Sequence, residues 1–60
     1  KDMVAQAYLG RMVSISEEGS EVSGLVESVE KSEDGAISVT VSGKNYNPQN
    51  ITRVSLPNNQ

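Results

Sequence analysis

Sixty residues, 35% of them hydrophobic, with no cysteine or histidine, allow one small domain that buries only roughly 60% of the surface its unfolded chain exposes. Without His or Cys the usual zinc, haem and iron-sulfur ligands are missing, as are the commonest general base and activated nucleophile, so no enzyme, metal or cofactor is expected. Five Lys plus Arg against eight Asp plus Glu give a net charge of -3, the wrong sign for phosphate-driven nucleic-acid binding, and no apolar run approaches the roughly 20 residues of a membrane helix.

Residues 1–10 differ in texture from the rest. Met3, Val4, Ala7 and Tyr8 recur at helical spacing, with Asp2 placed to cap the start and Gly10 to end the segment, which predicts a short helix. About two turns are too few to stand alone, so the helix must dock or fray. The first residues also lack the basic-then-apolar build of a secretory signal.

From Arg11 the period becomes two. Val13 and Ile15 alternate with Met12, Ser14 and Ser16, and Ile37, Val39 and Val41 alternate with Ser38, Thr40 and Ser42, the pattern of antiparallel strands with one dry face. Between them Val22 to Lys31 reads as a strand whose apolar residues change phase, Val22 and Val26 being even and Leu25 and Val29 odd. A bend or bulge accounts for that, and Gly24 is the expected place. Glu18-Gly19, Asp34-Gly35 and Ser42-Gly43 separate the periodic runs and read as tight hairpin turns, Asp34-Gly35 as the two-residue kind that needs positive φ. A brief strand follows at Lys44 to Tyr46. Asn47-Pro48-Gln49-Asn50 then breaks the ladder in a single helical turn. Ile51, Val54 and Leu56 make a fifth strand, and Pro57 to Gln60 is a polar tail.

Five short strands, the second long and bent, with a turn of helix before the fifth, outline an all-β, SH3-like or Tudor-like barrel. An OB-type barrel also has five strands but usually needs more chain. The alternation predicts one core of Val13, Ile15, Val26, Ile37, Val39, Val41, Ile51 and Val54.

No residue pattern reaches the standard of a site. Glu17, Glu18 and Glu21 cluster at one turn, and Glu27, Glu30, Glu33 and Asp34 approach another, but without the alternating ligands of a calcium loop or the facing pair of a glycosidase. They read as solvated charge that also discourages strand pairing at exposed edges. Tyr8 and Tyr46, the only aromatics, are too few for a methyl-lysine cage and read as core or rim packing. Arg11, Lys31, Lys44 and Arg53 are scattered single charges. Ser14, Ser16, Ser23, Ser28, Ser38, Thr40 and Ser42 lie on wet strand faces with no histidine to activate them.

The order of the segments says more than any one of them. Ala7-Tyr8-Leu9-Gly10-Arg11-Met12-Val13, then Val22-Ser23-Gly24-Leu25-Val26-Glu27-Ser28-Val29, then Gly35, Val39 to Lys44 and Ile51-Thr52-Arg53-Val54 together resemble the C-terminal part of bacterial flagellar hook-assembly (hook-cap) proteins. The match covers nearly the whole chain. The resemblance implies a short N-terminal helix at 1–10 continuing from an upstream region, a Tudor-like barrel at 11–56 and a polar tail at 57–60. It also implies a homo-oligomeric scaffold, exported through the flagellar type III apparatus to the tip of the growing hook, whose partners are hook protein and other cap subunits. Many members of that family carry an immunoglobulin-like domain inserted near where this chain has only Glu17 to Glu21. The alternative from a different class is an SH3-like adaptor that binds an extended peptide, either in a groove or by strand addition at an open edge.

Overall fold

The computed structural model describes residues 5–57. After a 3-10 turn at Ala5–Tyr8 come five strands, β1 (Met12–Glu17), β2 (Ser20–Lys31), β3 (Ile37–Val41), β4 (Lys44–Tyr46) and β5 (Ile51–Ser55), with a second 3-10 turn at Pro48–Asn50 before the last. All pairings are antiparallel, and the strand order is β4-β3-β2-β1-β5. This is a small all-β, SH3-like barrel. The fifth strand returns to the first, and β2 belongs to both halves, its first part pairing with β1 and its second with β3.

The turns follow from local backbone chemistry. Glu18 and Gly19 both have positive φ (48 and 83), as do Ser42 and Gly43 (53 and 79), so each closes a two-residue hairpin, between Glu17 and Ser20 and between Val41 and Lys44, with the twist that right-handed strands require. The β2-β3 connection differs from expectation. Only Gly35 has positive φ there. Its N–H donates to the Ser32 carbonyl at 2.9 Å and the Ser32 N–H to the Ala36 carbonyl at 2.8 Å, which makes Glu33-Asp34-Gly35 a three-residue loop with a glycine bulge rather than a two-residue turn.

The helix expected at 1–10 is also corrected over its described part, while Asp2, Met3 and Val4 lie outside the described residues. Ala5–Tyr8 is a 3-10 turn. The chain then reverses through Leu9 and Gly10, with the Arg11 N–H donating to the Tyr8 carbonyl at 2.9 Å and Gly10 at φ 78. Val26 receives the Gly10 N–H at 3.0 Å and donates its own to the Arg11 carbonyl at 2.9 Å, so two residues face one, a bulge that needs glycine at its first position.

The phase change in β2 is present, but not where it was expected. Val26 pairs with Val41 and Ser28 with Thr40, leaving Glu27 as the extra residue of a bulge. Its carboxylate accepts the Ser42 N–H at 3.2 Å, which fixes the bulge to the next turn. Leu25 is an outward residue, 43% exposed. Gly24 keeps the phase of Val22 and Val26 and has no positive φ. Its function is close approach, since a Cβ there would lie 2.6 Å from Cγ1 of Val41.

The core consists of Val13, Ile15, Val26, Val39, Val41 and Tyr46, with Tyr8, Val22, Val29 and Ile51 packed against it. Tyr46 is thus core, and Ile37 and Ile51 are half-buried. Val54 is not core. It pairs with Val13, but among the described residues β5 has a neighbour on one side only, and Val54 stays 38% exposed.

Candidate functional site

Each predicted site residue has a definite place. Glu17, Glu18 and Glu21 share the β1-β2 tip, where a Glu21 oxygen lies 3.4 Å from the Thr52 hydroxyl. Glu27 holds the Ser42 N–H. Asp34 organises its own loop, accepting from the Ser32 hydroxyl and from the Ala36 N–H at 3.0 Å. The Ser32 hydroxyl first, and then the Ala36 N–H, hold its carboxyl below the ordinary aspartate value by stabilising the charged form. The fold therefore spreads the carboxylates over the β1-β2 tip, the interior of β2 and the β2-β3 loop. Among the described residues no group of three His, Cys, Asp or Glu side chains could hold a metal ion, and no polar or charged residue is buried.

The cations stay apart as well. Lys44 places its ammonium 5.3 Å from the ring centre of Tyr46, a cation-π contact. Arg53 lies on β5, level with Ser14 of β1 and Ser23 of β2. Ser14 and Ser23 join their hydroxyls at 3.1 Å, and the Thr52 hydroxyl reaches back to the Ser14 carbonyl at 3.3 Å. Ser14, Ser23 and Arg53, with Met12, Val13 and Ser55, line a shallow, open hollow of about 190 Å³. A second hollow of about 300 Å³ lies between Ala5-Gln6 and Val29, Glu30, Lys31 and Ile37. Neither brings an acid, a base and a nucleophile together.

What the sequence did not place is the open edge, which the strand order puts at β5. Glu17 and Ser20 flank a two-residue turn and so form a hydrogen-bonded pair. By alternation Val13 and Ile15 bond β2, and Met12 and Ser14 bond β5 through Ser55 and Arg53. Val54 therefore turns its N–H and C=O groups away from β1, and Leu56 lies just beyond the end of the strand. Leu56 is 68% exposed. No pattern within Ile51 to Leu56 marks an edge, because alternation reports faces and not neighbours.

Against known proteins, the chain matches no family model, no curated protein and no solved structure.

Proposed function

We propose that the chain is the barrel module of a bacterial flagellar hook-assembly (hook-cap) protein, a non-catalytic scaffold that works with other cap subunits and with hook protein at the tip of the growing hook. The observation that carries this reading is the order of the resembling segments along nearly the whole chain. The reading is coherent with how those segments are used: Leu9-Gly10-Arg11 makes the reversal into β1, Gly24 lets β2 close on Val41, Ser42-Gly43 turns β3 into β4, and Ile51 to Val54 closes onto β1. A carrier of mechanical position needs a stable small body and no reactive groups, and the dispersed carboxylates and dry core suit that role. In this reading the protein is exported through the flagellar type III apparatus, and its self-association belongs to the full-length protein.

The test is deletion of the segment equivalent to Arg11–Leu56 from the full-length gene in a flagellated bacterium, with hooks examined by electron microscopy. Intact basal bodies with short or missing hooks are expected. Hooks of normal length and number would overturn the proposal.

A further inference from the structure

The two ends of the sheet are defended unequally. β4 is three residues long and carries Lys44, both features that discourage pairing with another chain. β5 spans five residues without lysine or proline, and its outward backbone groups include those of Val54, which is 38% exposed, with Leu56, 68% exposed, just beyond the strand. A strand laid along this edge would satisfy those groups and cover Val54.

The side chains specify that strand further. On the inner face a row runs Gly24, Val13, Val54, so the next residue in the row meets an aliphatic neighbour. On the outer face the row runs Ser23, Ser14, Arg53, and the next residue meets a guanidinium whose partners in the row are uncharged. Glu21, the carboxylate of that face, lies one row away and faces Thr52. We infer that the free edge of β5 takes up an extended segment of a partner protein, with a carboxylate opposite Arg53 and an aliphatic residue opposite Val54. A second copy of this chain fits less well, because self-pairing centred on Val54 brings two Arg53 guanidinium groups onto the same face in adjacent rows. The inference is independent of the hook-cap reading, since it comes from register and edge exposure alone.

The probe is a blocked six-residue peptide of alternating valine and threonine with one aspartate replacing the threonine that would face Arg53. It is titrated into the 60-residue chain by NMR. Saturable shifts at the Thr52 and Val54 amides are expected, with affinity roughly two- to fivefold weaker when the peptide's aspartate becomes lysine, the scale of one exposed ion pair. R53E should reverse that preference. V54P should abolish binding while the amide spectrum stays that of the folded barrel, because proline is accepted where a strand N–H faces solvent. If V54P does not fold, the R53E charge reversal still decides. Shifts confined to other residues, equal affinity for both peptides, or concentration-dependent self-association through β5 without peptide binding would each overturn the proposal.

Discussion

Gly24 and Val41 show how one missing methyl group determines a packing arrangement. Their halves of the barrel meet where a Cβ on residue 24 would come within 2.6 Å of the Val41 side chain, and Val41 is fully buried. Val41 belongs to a β-branched type with few alternative rotamers. Gly24→Ala should therefore destabilise the barrel by about 1 to 3 kcal/mol through overpacking. The cost should shrink in a Val41→Ala background, where the obstructing methyl groups are gone, and a double-mutant cycle by urea denaturation measures the coupling. Additive effects of the two changes would show that the contact does not limit packing. Glycine at 24 was legible in the sequence as a necessity, but its reason was not: a bend and a close approach leave the same letter, and only the position of Val41 across the barrel separates them.

Hairpins carry the next level of information. Glu18 adopts φ 48, a left-handed conformation that L residues enter at a cost and that asparagine tolerates best. Glu18→Asn should raise stability by about 0.5 to 1 kcal/mol, which in a domain this small moves the melting temperature by a few degrees. An unchanged or lower melting temperature would contradict the turn assignment. The Glu33-Asp34-Gly35 loop answers to pH instead. Because the Asp34 carboxyl is held below 3.8 in the folded loop, its contribution is present above the unfolded value and disappears as pH falls through the folded one. NMR titration should place its midpoint below 3.8, and Ser32→Ala, which removes the first of its donors, should move the midpoint up. At this scale the sequence was a good guide to where the chain turns, since Gly19, Gly35 and Gly43 each sit in a reversal. It was a poor guide to turn length, because Asp-Gly suits both two- and three-residue loops, and the ladder beyond Lys31 and Ile37 decides between them. The bulge at Glu27 was hidden for a related reason: Leu25, apolar but outward, imitated a phase change before the real one.

For the molecule as a whole, the strand count, their sequence and the turn before β5 could be read from periodicity and punctuation, and the core followed at Val13, Ile15, Val26, Val39 and Val41, all on strands with neighbours on both sides. Val54 did not follow, because closure is a property of the sheet order, which no segment contains. The same order makes the barrel indivisible. β5 is needed to cover Ile15 through Ile51 and to pair with β1, and a domain with so small a core has little stability to spare. Removal of the chain from Ile51 onward should leave a polypeptide without a cooperative thermal transition by circular dichroism. A truncated chain that still melted sharply would show that β1 to β4 suffice.

The pairing of Met12 with Ser55 places the entry to the first strand and the exit from the last on the same rung. When tension is applied across Met12 and Ser55, the load falls first on that rung, and each bond that parts passes the load to the next, as in a zipper. A shear geometry would instead require all the β1-β5 bonds to yield together. A pull across these two positions should therefore open the pair at low force, beginning with β5 peeling from β1.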